Sequence, residues 1–150
     1  EGLPRMATIQ NEYSLLCRHF EPDLSEIALS EDVGLLAWSP LARGILSGKY
    51  LDGARPKGSR LTLDSRIDHR SCDQVDSAVA QYIALAEQHE LDPCQMALAF
   101  VNSRAFVTSN IAGASTMQQL RNNIDAIELT LSSEVLAGIE HIRRQFPMPY

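Results

Sequence analysis

Three short groups of residues each follow a strand-like run: Gln10-Asn11, Trp38-Ser39-Pro40-Leu41 and Gly113-Ala114-Ser115-Thr116. A side-chain amide gives and takes hydrogen bonds with a carboxamide. An indole offers a flat face to a planar ring. A glycine lets the backbone come close to a ligand, and a helix opening after Ser115 points the positive end of its dipole at an anion. Between the second and third groups, residues 41–70 hold Arg43, Lys49, Arg55, Lys57, Arg60, Arg66 and Arg70, seven of the chain's 13 basic residues. The whole chain carries a net charge of −6, so this excess is local. Amide, aromatic face, free backbone and cations are the parts that hold a nucleotide. Taken singly, each has a plainer reading. Gln10 satisfies backbone groups at a strand end, Trp38 is core, the loop cations are solvated, and Ser115 caps a helix. Their joint placement after three strands favours the site.

Other chemistry is absent. The sequence has no GxSxG, no Walker loop and no GxGxxG. His19, His69, His89 and His141 have no metal-ligand spacing, and Glu12, Asp23 and Asp32 form no acid pair. Cys17, Cys72 and Cys94 are odd in number and far apart, which reads as reduced, structural thiols in a cytoplasmic protein. The acidic balance argues against a nucleic-acid partner. No apolar run is long enough for membrane insertion.

The elements that must position these groups follow from hydrophobic periodicity and cap chemistry. Residues 7–11 read as a strand, 11–22 as a loop and 24–30 as a short helix. Residues 33–38 form a continuous apolar run, the mark of a strand buried on both faces of a parallel sheet. Regular signals fade from 41 to 70, where Gly44, Gly48, Gly53, Pro56 and Gly58 punctuate the chain. Ser71 to Gln74 reads as a capping box before a helix carrying Val75, Val79, Tyr82, Ile83 and Ala86. Asp92-Pro93 opens a second helix whose Met96–Val101 stretch is apolar nearly all round. A third strand spans 106–111, a helix capped by a Ser115-x-x-Gln118 box spans 117–127, and Ser132 caps a last helix to about Arg144. Strands alternating with helices imply parallel β/α units, whose strand carboxyl ends face the ligand. Three such strands leave open edges, so the chain looks like part of a larger barrel or sheet. Its opening residues, EGLPRM, look like those of a piece of a longer or processed protein.

The segments QNEYSLL at 10–16, AWSPLARGILSGKY at 37–50, Ser59-Arg60, and IAGASTMQQLRNNIDAI at 111–127 together resemble the C-terminal half of an aldo-keto reductase. The resemblance runs nearly end to end and is nearest to the potassium-channel β-subunit and Tas-like branch. It implies a fold of class α/β: a partial (β/α)8 TIM barrel, with the three strands as its sixth to eighth. It also implies NADPH lying across the strand ends. By that resemblance Gln10 bonds the nicotinamide carboxamide and Trp38 stacks on the nicotinamide ring. Ser39, Pro40, Leu41, Ala42 and Arg43 line the pyrophosphate. Lys49, Ser59 and Arg60 reach the pyrophosphate and the 2′-phosphate, and Gly113, Ser115, Gln119, Asn122 and Asn123 hold the adenosine end. The chain departs from the family in two places: Asn122 stands where Glu is frequent, and Arg43 where a small residue is common.

The family's Asp, Tyr, Lys and His tetrad has no match here, so the resemblance assigns this chain cofactor residues and no catalytic residue. The expected whole protein reduces a small-molecule aldehyde or ketone. The alternatives are a non-catalytic NADPH-binding or regulatory module and an inactive fragment. Three strands cannot close an eight-stranded barrel, so self-association through the open edges is expected of the isolated chain.

Overall fold

The computed structural model describes residues 2–64 and 72–150. Three parallel strands, β1 (Thr8–Glu12), β2 (Gly34–Trp38) and β3 (Val107–Ile111), form one sheet in the order β1-β2-β3. Helix α1 (Leu24–Ser30) connects the first two. The second connection is long: 3₁₀ turns at Ala42–Ser47 and Leu51–Gly53, then α2 (Arg60–Leu63), α3 (Asp73–Gln88) and α4 (Pro93–Asn102). After β3 come α5 (Met117–Asp125) and α6 (Ser133–Gln145). The three strands lie within a residue of their expected limits. The stretch read as irregular between Leu41 and Asp64 contains tight helical turns, too short for periodicity to show.

Register explains the two faces of the sheet. Gln10 pairs with Leu36 and Leu36 with Ser109; Glu12 pairs with Trp38 and Trp38 with Ile111. Those rows share one face. The opposite face presents Leu35 and Ala37, both fully buried in the main core with Met96, Phe100, Val75, Val79 and Ile139. The expectation that β2 is buried on both faces is therefore corrected. Leu36 and Trp38 stay half-exposed, and among the described residues of β1 and β2 on their face only Glu12, at the end of β1, is buried. Between Leu35 and Leu36 the register with β3 slips by one residue, at Thr108. A Cβ on Gly34 would lie 1.8 Å from Thr108 Oγ1, so only a residue without a side chain fits beside the slip.

The segment following β1, read from the sequence as a loop or irregular turn, is irregular in conformation yet largely core. Tyr13, Leu15, Leu16 and Phe20 are buried, and Ser14 Oγ accepts the N–H groups of Leu16 and Cys17. Arg18, nearly buried, pairs with Glu21 at 2.7 Å and with Glu140 of α6 at 3.2 Å. Its guanidinium and that of Arg104 both lie over the Phe100 ring, at 5.1 and 4.5 Å. Tyr13 donates to Glu21, and Tyr82 of α3 donates to the Leu15 carbonyl at 3.2 Å. Burial pushes both phenols above their ordinary range, so they stay donors. This segment ties the end of β1 to α3, α4 and α6.

Helix caps follow their chemistry with two differences. Asp92 accepts the Gln95 N–H at 2.9 Å with Pro93 in the first turn, and Ser132 accepts the Val135 N–H at 3.2 Å. The cap of α5 is Thr116, which accepts the Gln119 N–H at 3.2 Å, one residue beyond the expected Ser115. The expected box at Ser71 lies outside the described residues, and Cys72 occupies the N-cap position of α3. None of Cys17, Cys72 and Cys94 forms a disulfide.

Candidate cofactor site

At the carboxyl ends of β2 and β3 a cleft of about 840 Å³ opens between the loop after β2, the turn before α2 and the N-terminus of α5. The loop after β2 is bent by an unusual run of left-handed backbone: Ser39 (φ 56°), Ala42 (φ 47°), Arg43 (φ 60°) and Gly44 (φ 94°). Non-glycine residues in that region cost of order 1–3 kcal/mol each, and such strain gathers at ligand-binding turns. The bend carries the chain from the buried strand end to the cleft wall. Gly44 is needed twice over: its φ is positive, and a Cβ there would meet Lys49 Nζ at 3.1 Å. The Lys49 side chain thus crosses the space above Gly44, its ammonium 5.1 Å from the centre of the Tyr50 ring.

The opposite wall is held from beneath. Ser59 is buried and shares a 2.8 Å hydrogen bond with Thr62, whose hydroxyl donates to the Pro56 carbonyl. The buried Tyr50 hydroxyl accepts the Leu61 N–H at 3.5 Å. This fixed turn presents Lys57 and Arg60, both exposed. On the α5 side, Gln119 Oε1 accepts the Ser115 N–H at 2.8 Å. Asn122 donates to Asp92 at 3.0 Å, which joins α5 to the start of α4, and Asn123 reaches the Gly113 carbonyl at 3.5 Å. Cys94 also borders the cleft; burial, then the Asp92 carboxylate, pushes its thiol up to about 11.

Twelve of the residues expected at a site border this one cleft: Ser39, Pro40, Leu41, Arg43, Lys49, Ser59, Arg60, Gly113, Ser115, Gln119, Asn122 and Asn123. Three do not. The Ala42 side chain is fully buried in the core, so that residue has only its backbone to offer. Gln10 and Trp38 stand on the open face of the sheet beside the cleft, in adjacent rows. Gly44, Ser47, Lys57, Cys94 and Thr116 border the cleft and were not among the expected residues. Lys57 sits in the cation-rich stretch and Thr116 in the cap sequence, where their signals were readable. Cys94 arrives only through the docking of α4.

The electrostatics are one-sided. Arg43, Lys49, Lys57 and Arg60 border the cleft with no carboxylate among its described lining residues, although the chain has a net charge of −6. The N-terminus of α5 adds a positive dipole end. Such a cleft concentrates anions. Among the described residues, no group of acidic, histidine or cysteine side chains is placed to hold a metal ion, and no helix is long and apolar enough to cross a membrane.

The profile of the aldo/keto reductase family matches residues 1–144. "Protein tas" of Escherichia coli (strain K12) is 52% identical over 147 residues, a match covering 98% of this chain and 42% of that protein. A putative voltage-gated potassium channel subunit beta of Schizosaccharomyces pombe is 36% identical, over 93% of this chain and 42% of that protein. The structure of the glycerol dehydrogenase AKR11B4 from Gluconobacter oxydans superposes with a TM-score of 0.75 at 24% identity, covering 95% of this chain and 43% of that one. The chain therefore spans less than half the length of these relatives, and it belongs to the aldo/keto reductase family.

Proposed function

We propose that this member of the aldo/keto reductase family supplies the NADPH-binding part of a carbonyl reductase, an oxidoreductase that reduces aldehydes or ketones to alcohols. The observation that carries the reading is the carboxylate-free cleft with four cations and a helix N-terminus in an acidic chain. Phosphates fit there and few other small ligands need so much positive charge. Lys49 and Arg43 take the pyrophosphate, and Arg60, supported by Ser59, takes the adenosine 2′-phosphate. Ser115, Gln119, Asn122 and Asn123 line the adenosine end. Gln10 and Trp38, on the open sheet face beyond Ser39, take the nicotinamide. On this reading the chain is the C-terminal portion of a (β/α)8 barrel, its three strands the last three. The proton-donating residues then belong to the strands this chain does not contain, and the working location is cytoplasmic.

Trp38 is the only tryptophan, so its emission reports on the nicotinamide end alone. Titration of NADPH is expected to quench it saturably, more strongly than NADH. Absence of quenching at millimolar cofactor would overturn binding by this chain by itself.

A second reading, a non-catalytic regulatory or interaction module, draws on the relatives named as potassium channel β subunits. Turnover of a simple aldehyde by the chain joined to the rest of a family barrel separates the two. NADPH binding without turnover supports the module, and neither binding nor turnover indicates an inactive fragment.

A further inference from the structure

Glu12 is buried at the last position of β1, an uncommon place for a carboxylate in a chain whose other acidic groups are mostly solvated. It lies on the same sheet face as Gln10, two residues on, and its register partner is Trp38. The Trp38 carbonyl accepts the N–H of Tyr13, so the strand pairing extends past Glu12. One hydrogen-bond partner of Glu12 comes from the other end of the chain. Residues 146–150 fold back from α6, Pro149 is buried, and its carbonyl accepts from the Cys72 thiol at 3.2 Å. Tyr150, packed against the core, donates its hydroxyl to Glu12 Oε1 at 3.1 Å across 138 positions of sequence.

We infer that Glu12 and Tyr150 are positioning residues for the nicotinamide end of the site. The pair lies one row beyond Gln10 and in the row of Trp38, and it pins residues 146–150 beside the aromatic platform. It contributes nothing to the phosphate cleft, which it does not border. With the pair intact, the flank of Trp38 is closed and the platform is held in one place. With the pair broken, the Tyr150 ring loses this tie to the end of β1, and a planar ring beside Trp38 loses part of its support. The inference rests on the cofactor reading given above and assigns a role to two residues that reading leaves unused.

The test compares two ligands. NADPH spans both ends of the site, whereas adenosine 2′,5′-bisphosphate fills only the phosphate end. Both are titrated into the unmodified chain, Tyr150→Phe, Glu12→Ala, Glu12→Gln and the Tyr150→Phe/Glu12→Ala double variant. Tyr150→Phe and Glu12→Ala are each expected to weaken NADPH about tenfold, the scale of one part-buried hydrogen bond, and to lower the Trp38 quenching amplitude. Adenosine 2′,5′-bisphosphate is expected to bind all variants within about twofold, which also shows that they fold. Glu12→Gln keeps an acceptor for the phenol and is expected to restore most of the NADPH affinity. The double variant is expected to lose no more than either single one. Equal losses for both ligands, or unchanged NADPH binding in Tyr150→Phe and Glu12→Ala, would overturn the inference while leaving the cofactor reading in place. Failure of the unmodified chain to bind adenosine 2′,5′-bisphosphate would overturn both.

Discussion

On the cofactor reading proposed above, Arg60 is the residue on which the choice between NADPH and NADH turns. It opens α2, is exposed, and stands on a turn made rigid by Ser59, Thr62 and Pro56. A guanidinium held on a fixed support forms a directed contact with a phosphate group. Arg60→Ala is expected to cost about 1–3 kcal/mol of NADPH affinity and to leave NADH nearly unchanged. Parallel titrations of the two cofactors check this, and equal losses would remove Arg60 from the 2′-phosphate. Gly44 makes a different prediction at the same scale. Its φ is 94°, and a methyl group there would stand 3.1 Å from the Lys49 ammonium, so an alanine has no relaxed place. Gly44→Ala is expected to lower stability by about 1–2 kcal/mol and to weaken NADPH by displacing Lys49. Urea unfolding measures the first effect and cofactor titration the second. Arg60 and Lys49 stand out in the sequence because they carry charge in a locally basic stretch, whereas Gly44 appears there only as one of several loop glycines. Ala42 is less legible, and its side chain is buried in the core. Its type is silent, and only the left-handed turn shows that its side chain goes inward.

At the scale of elements, local signals and tertiary docking divide the work. Asp92-Pro93 and Ser132 begin helices as their types dictate, and three apolar or β-branched runs become three parallel strands. Residues 13–22 show where local reading stops. Nothing periodic marks Tyr13, Leu15, Leu16 and Phe20 as core; they are buried because Arg18, Glu21 and Tyr82 pull the segment onto α3, α4 and α6. That network can be probed through Glu140. Its hydrogen bond to Arg143, at 2.6 Å, is the largest cause holding its carboxyl down at about 2, against an ordinary value of 4.5. A depressed carboxyl contributes stability that is fully present above its unfolded value and is lost as the pH falls toward the folded one. Glu140→Gln is therefore expected to be less stable than the unmodified chain at neutral pH. The two are expected to converge as the pH falls from about 4.5 to about 2. Urea midpoints measured across that window decide it: a constant gap at every pH would assign the loss to packing alone.

The whole molecule is a three-stranded sheet open on one face and at both edges among the described residues. Beside the β3 edge, α5 exposes Met117, Leu120 and Ile124, Ile127 just beyond it is exposed too, and Ile111 is exposed on the strand itself. On α1, the helix that joins β1 to β2, Ile27 and Leu29 are exposed. A patchwork of apolar side chains along an unpaired strand recruits another strand and helix. The superposed glycerol dehydrogenase has more than half of its chain outside the match, enough to cover both edges in that protein. In the isolated chain the available cover is a second copy. The two edges differ, so pairing between copies is expected to be head-to-tail, β3 of one copy beside β1 of the next, adding copies until a ring closes. Sedimentation velocity over the micromolar to millimolar range is expected to show mass rising with concentration. Leu120→Lys with Ile124→Glu places charge among the exposed apolar residues of α5 without touching the core, since both side chains already face solvent. That variant is expected to sediment as a monomer with an unchanged unfolding midpoint. A monomer at every concentration in the unmodified chain would mean that exposed strand edges and α5 are not adhesive. The exposed apolar residues of α5 would then need another explanation than their place beside an open sheet.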